Sequence, residues 1–178
     1  MRVFIGLGGN LGDTRSVFGS VSRELRAKGH VVRSSSLYES EPRDVLDQPR
    51  FTNAAIELET DLSPQQLLIE LKRLEMALGR DPQGMRFGPR VVDLDILSLD
   101  GRCVEDRELD LIVPHPRLVE RRFALEPLAE LEPSLQPWRG CADVRRDVTV
   151  ADLLPSVAEQ QVERVGGAEW ADPTSGGL

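Results

Sequence analysis

The chain has 178 residues, enough for one domain, and its hydrophobic share of 40% supplies an ordinary core although aromatics make up only 4%. A net charge of −8 argues against nucleic acid as the main partner, while local arginines or a metal can still reverse the sign inside a cleft. No apolar run approaches a membrane span, Met1–Leu7 lacks the apolar segment of a signal peptide, and Cys103 and Cys141 form no CxxC or His-associated pattern; a soluble, reducing, cytoplasmic setting and no structural metal are expected.

Val3, Ile5 and Leu7 alternate with Phe4 and Gly6, which reads as a first strand. Gly8, Gly9, Asn10 and Gly12 make a turn, and Asp13 or Thr14 can cap a helix whose apolar face is Val17, Val21 and Leu25 and whose stop is Gly29. A second strand is expected from His30 to Ser36. Glu39 to Arg50, with Pro42, Pro49 and four acidic residues, reads as a long loop.

Phe51 to Thr60 reads as a third strand, with Ala54, Ile56 and Leu58 on one face and Phe51, Asn53, Ala55 and Glu57 on the other. Ser63, Pro64 and Gln66 are a cap, a first-turn proline and a capping-box partner for a helix carrying Leu67, Leu71, Leu74 and Leu78 and closed by Gly79. Glu75 falls at the edge of that stripe. Arg80 to Arg90, with Pro82, Gly84, Gly88 and Pro89, reads as a second long loop, and Val91 to Leu99 as a fourth strand.

The order β-α-β-β-α-β is that of a ferredoxin-like α+β fold, an antiparallel sheet with both helices on one face. The remainder reads as an irregular C-terminal extension with a helix near Val150 to Gln161. A single domain is expected over residues 1–163, with a flexible tail over 164–178.

Within the fourth strand, Asp93 and Asp95 share a face about 7 Å apart, opposite Val92, Leu94 and Ile96. Two parallel carboxylates on a rigid element suit Mg²⁺, although a half-exposed strand would show the same pattern. Arg86 and Arg90 precede the pair and Glu75 ends the preceding helix; magnesium plus arginines is the equipment of phosphoryl transfer. With Lys28 and Lys72 the only lysines, positive charge is mostly arginine, which suits bidentate phosphate contacts and equally reflects genome composition.

Phe51 and Asn53 on the non-core face suit a flat, hydrogen-bonding heterocycle, or a face packed on a loop. His115, held between Pro114 and Pro116, is a phosphate contact or a loop residue. Gly6, Gly8 and Gly9 do not complete a dinucleotide fingerprint, since Leu11 stands where the third glycine belongs, and no P-loop occurs. The D-x-D pair also departs from the aspartyl-phosphate phosphatase pattern, with Leu97 in its last position.

The run Phe87-Gly88-Pro89-Arg90-Val91-Val92-Asp93-Leu94-Asp95-Ile96-Leu97 resembles the R-W-G-P-R-x-x-D-L-D-I-L signature of the 6-hydroxymethyl-7,8-dihydropterin pyrophosphokinases. The resemblance extends, in order, through Gly8-Gly9-Asn10-Leu11-Gly12, Ser35-Ser36-Leu37-Tyr38, Gln48-Pro49-Arg50-Phe51-Thr52-Asn53-Ala54-Ala55, Leu74-Glu75, Gly79-Arg80, Val113-Pro114-His115-Pro116 and Arg121-Arg122-Phe123. Pro82 stands where the family usually has a second loop arginine, and Phe87 where tryptophan is usual.

The resemblance implies transfer of pyrophosphate from ATP to 6-hydroxymethyl-7,8-dihydropterin in folate synthesis, by a monomer acting on small molecules rather than on nucleic acid or membrane. It implies that Asp93 and Asp95 hold two Mg²⁺ ions and that Asn53 bonds a pterin sandwiched by Phe51 and Phe123. Backbone of Ser40, Glu41 and Pro42 would read the pterin edge, Arg90, Arg121 and His115 would contact ATP phosphates, and Glu75 would lie by the adenosine. Arg80, Arg86 and Arg90 would be the catalytic arginines, the first two on a loop that closes over the reaction.

Overall fold

The structure, a computed structural model, describes residues 1–172 apart from Asp44, Pro82, Arg86, Phe87, Asp143, Val144 and Arg146. Its elements run β1 (Arg2–Gly9), α1 (Thr14–Arg26), β2 (His30–Ser34), β3 (Leu37–Ser40), β4 (Phe51–Glu59), α2 (Pro64–Ala77), β5 (Asp93–Ser98), β6 (Val104–Asp106), β7 (Leu111–Val113), α3 (Arg122–Leu131), α4 (Val150–Leu153) and β8 (Val162–Gly166).

All the strand pairs are antiparallel, in the order β5-β1-β4-β3-β8, and β2 also pairs with β4. The chain between His30 and Ser40 therefore lines one edge of β4 twice: β2 covers Ile56–Glu59 and β3 covers Phe51–Asn53. β6 and β7 form a separate hairpin. Among the described residues no helix is long and apolar enough to cross a membrane.

Strand alternation divides the core. Val3, Ile5, Leu7, Ala54, Ile56, Leu58, Leu94 and Ile96 pack under Phe18, Val21 and Leu25 of α1 and Leu67 and Leu71 of α2. Each buried Val, Leu, Ile or Phe side chain among these contributes about 1.5–3 kcal/mol by leaving water. The helices start where their caps put them: Asp13 accepts from the Ser16 N–H, and Ser63 and Gln66 close a capping box.

The opposite face carries Phe4, Ala55 and Leu97, which pack against Ala124, Leu125, Leu128 and Leu131 of α3 together with Trp138, Val150 and Val157. Only part of this face is roofed, and an open cleft lies beyond the roof. α3 replaces the irregular stretch expected after Leu99. Its Glu130 accepts from the Ser36 N–H and Oγ–H and from the Tyr38 hydroxyl at 2.8–2.9 Å, which ties the helix to β3.

Four further expectations are corrected. Glu39 and Ser40 belong to β3 rather than to a loop, because β4 offers them a free edge. The helix expected from Val150 to Gln161 is one turn of α4 followed by a 3₁₀ turn over Leu154–Val157, as Pro155 lacks the N–H an α-helix needs.

The tail expected from residue 164 is instead part of the sheet through Gly166, and Trp170 is buried edge-to-face on Phe18 at 5.8 Å. The Trp170 indole N–H donates to Ser35 O at 2.8 Å, and Ser22 Oγ donates to Ala171 O at 3.0 Å. The two cysteines, from whose spacing a reducing setting was expected, instead form a disulfide with Cα atoms 5.5 Å apart.

Candidate active site

The unroofed half of the sheet is floored by glycine. In β1, Gly6 lies opposite Asp95 and Ala55, and Gly8 lies opposite Asp93 and Asn53. The central strand thus puts no side chain between the two aspartates on one neighbour and the asparagine on the other. Mid-strand glycines mark such close approaches. The space above them is an open cleft, walled by Ser40, Glu41, Phe51, Asn53, Arg90 and Phe123 among others.

Asn53 is buried, and its Nδ2 donates to Ser40 Oγ at 2.9 Å and to Phe51 O at 3.2 Å. A carbonyl can only accept, so the amide orientation follows and Oδ1 is left toward the floor, near Gly8. Phe51 and Phe123 both line the cleft. The Arg90 guanidinium lies 5.3 Å from the Phe51 ring centroid and that of Arg121 lies 5.7 Å from Phe123.

Asp93 and Asp95 face the cleft with side chains 23% and 34% exposed, on the face opposite buried Leu94 and Ile96. Arg80 and Arg90 meet Asp93 at 2.8 and 3.0 Å; Arg121 lies 3.6 Å and His115 3.9 Å from Asp95. Burial holds the His115 imidazole below its ordinary range, against the pull of Asp95. Its Nδ1 accepts the Arg117 N–H at 3.1 Å, and its Nε2 lies 3.4 Å from Arg121 Nη1 and 3.9 Å from Asp95.

Glu75 is not at the edge of its stripe but 1% exposed. It accepts from the Leu94 N–H at 2.6 Å, from Lys72 at 2.8 Å and from Arg80. Burial raises its pKa, with Lys72 and the Leu94 N–H opposing. A second cleft, walled by Glu75, Lys72, Met76, Arg80 and Met85, adjoins the first, and Arg90 lines both.

Of the residues singled out from sequence, Ser40, Glu41, Phe51, Asn53, Arg90, Asp93, Asp95, Arg121 and Phe123 wall the first cleft, and Glu75 and Arg80 the second. His115 joins through Asp95 and Arg121. Pro42 is buried and is not part of either wall, and Arg86 lies outside the described residues, as do Pro82 and Phe87. Sequence reasoning missed Gly6, Gly8, Arg43, Gln48 and Arg117 as wall residues. The glycines carried a signal, two of them at strand spacing; the others are placed only by the tertiary fold.

Among the described residues no three His, Cys, Asp or Glu side chains gather into a metal cage. Two carboxylates alone still fit Mg²⁺, which keeps waters and substrate phosphate oxygens in its shell and takes one or two protein carboxylates.

Residues 4–133 match the family model described as 7,8-dihydro-6-hydroxymethylpterin-pyrophosphokinase (HPPK). A Bacillus subtilis 2-amino-4-hydroxy-6-hydroxymethyldihydropteridine pyrophosphokinase is 38% identical over 151 residues, 84% of this chain and 83% of that protein. A Pseudomonas aeruginosa protein of the same name is 36% identical across 94% of this chain and 98% of its own length.

An Arabidopsis thaliana folate synthesis bifunctional protein is 43% identical over 93% of this chain, which spans only 34% of that longer protein; the chain spans 18–25% of three other long relatives. In structure, the chain is similar to a Plasmodium falciparum HPPK-DHPS, with a TM-score of 0.58 at 14% identity over 87% of this chain and 43% of that one. The signature around Asp93 and Asp95, the cleft that displays it and these matches agree: the chain belongs to the 7,8-dihydro-6-hydroxymethylpterin-pyrophosphokinase family.

Proposed function

We propose that the chain transfers the pyrophosphoryl group of ATP to the hydroxymethyl oxygen of 6-hydroxymethyl-7,8-dihydropterin, releasing AMP, and that it does so on a ferredoxin-like β-α-β-β-α-β core. The observation that carries this reading is the glycine-floored cleft. It sets a buried amide and two aromatic rings beside a pair of carboxylates on the next strand but one.

The pterin lies between Phe51 and Phe123, with Asn53 Oδ1 accepting from its edge and the backbone of Ser40 and Glu41 at its rim. ATP takes the second cleft, its adenosine near Glu75 and Lys72 and its phosphates directed across Arg90 toward Asp93 and Asp95. Those two aspartates would hold two Mg²⁺ ions, which when bound neutralise charge on the bridging phosphate oxygens.

The pterin hydroxymethyl oxygen attacks the β-phosphorus in line, the bond from that phosphorus to the α,β-bridging oxygen breaks, and AMP leaves with that oxygen. The hydroxyl proton passes to solvent. Arg90, Arg121 and His115 stabilise the phosphates through the transfer. Arg80, now held between Glu75 and Asp93, is placed to turn to the phosphates once the aspartates take up metal.

Chromatography of nucleotides after incubation with ATP, Mg²⁺ and the dihydropterin tests this. AMP formed one-for-one with pterin consumed is the expected result. ADP or free phosphate as the product, or no turnover, contradicts it.

A further inference from the structure

We infer that Asn10 is a positioning residue that ties the pterin side of the cleft to the phosphate side. The inference rests on the assignment of the two clefts above. Asn10 opens the β1–α1 turn, is 8% exposed and lies on neither cleft wall, so it touches no substrate. Every polar atom of its amide is nonetheless committed to a residue that does, or to that residue's neighbour.

Nδ2 donates to Gln48 Oε1 and to Pro49 O, both at 3.0 Å. Oδ1 accepts the Arg90 N–H at 2.9 Å, and the Asn10 N–H donates to Arg90 O at the same distance. Pro49 O can only accept and the Arg90 N–H can only donate, which fixes the amide orientation. Gln48 walls the pterin cleft, and Pro49 lies two residues before Phe51. Arg90 stacks over Phe51, pairs with Asp93 and lines both clefts.

The surrounding turn is built for this proximity. A Cβ on Gly9 would lie 2.4 Å from Val91 O, so only glycine lets β1 run this close to the strand that carries the aspartates. Thr14 Oγ1 donates to Thr52 Oγ1 at 3.0 Å, closing the same gap on the other side of Phe51. One buried amide therefore sets the spacing between the ring that would stack the pterin and the arginine that would meet the phosphate. In a transfer reaction that spacing is the distance between nucleophile and electrophile.

Two variants separate the halves of the tie. Asn10→Asp keeps the acceptor for the Arg90 N–H but turns an oxygen toward Gln48 Oε1 and Pro49 O. Its KM for the dihydropterin should rise about tenfold, the equivalent of a buried hydrogen bond, while its KM for ATP stays within about twofold. Asn10→Ala removes both halves and should raise both KM values about tenfold. In the ligand-free protein, amide hydrogen exchange of residues 45–51 and 88–92 should quicken together in Asn10→Ala.

Unchanged KM values in both variants, with loss only of melting temperature, would overturn the role. So would equal effects of Asn10→Asp on the two substrates, or unaltered exchange in either segment. Failure of the cleft assignment shows elsewhere, in an Asn53→Ala protein that keeps its pterin KM.

Discussion

Replacing Asn53 with alanine should damage pterin binding and spare ATP. The structure assigns the amide two separate jobs: Nδ2 fastens Ser40 Oγ and Phe51 O, while Oδ1 faces the cleft floor. Loss of the first pair costs about 1 kcal/mol per bond, so the fold should lose about 2 kcal/mol. Loss of Oδ1 leaves a pterin donor unmatched in a site shielded from water, at about 1–3 kcal/mol, or roughly 5- to 150-fold in affinity.

Asn53→Asp separates these contributions. It keeps an acceptor toward the pterin and can take a bond from the Ser40 hydroxyl, but it sets a carboxylate oxygen against Phe51 O. It should therefore bind pterin better than Asn53→Ala. Calorimetric titration of each variant with the dihydropterin, and separately with a non-hydrolysable ATP analogue in Mg²⁺, reads both affinities. Equal losses for the two ligands, or full pterin affinity in Asn53→Ala, would refute the division of labour.

His115 should make the fold acid-sensitive. Its pKa is depressed by burial, so below about pH 6.5 the unfolded chain binds more protons than the native one and stability falls as the pH drops. Denaturant midpoints at pH 7.5, 6.5 and 5.5 should decline on this account, and more shallowly in His115→Gln; parallel slopes would remove His115 as the cause. Trp170→Ala should cost about 3–5 kcal/mol, because it empties a buried site on Phe18 and strands Ser35 O. A variant with an unchanged denaturant midpoint would show that this last turn is not docked.

The parts of the fold that were legible are those specified by local rules. Alternation marked β1, β4 and β5, the Asp13 cap and the Ser63–Gln66 box marked the starts of α1 and α2, and the i, i+2 spacing put Asp93 and Asp95 on one face. Parts stabilised from a distance were not. β3 and β8 strands exist because β4 and β3 offer edges to short polar segments, and Trp170 is held by Phe18 and Ser35, more than 130 residues away in the chain.

α3 was hidden by Pro127 inside it, and its direction is set by Glu130 gripping Ser36 and Tyr38. Glu75 read as an edge residue because the partner that draws it inward, the Leu94 N–H, sits on another element. The disulfide joins cysteines 38 residues apart, a spacing that carries no pairing signal. Most of the cleft wall was readable because a family motif reports on tertiary placement as well as local structure. Gln48, Arg43 and Arg117 fall outside what that motif says of side chains at the cleft.

The central claim is that Asp93 and Asp95, turned out of the core on one strand, hold divalent metal against the nucleotide phosphates. Electron paramagnetic resonance of Mn²⁺ with a non-hydrolysable ATP analogue measures this directly in the native chain and in Asp95→Asn, with thermal melting to confirm the fold. The native chain should take up Mn²⁺ beyond what the nucleotide alone binds, and Asp95→Asn should lose that uptake and most of its turnover while melting normally. Native-like Mn²⁺ uptake by a folded Asp95→Asn would contradict it.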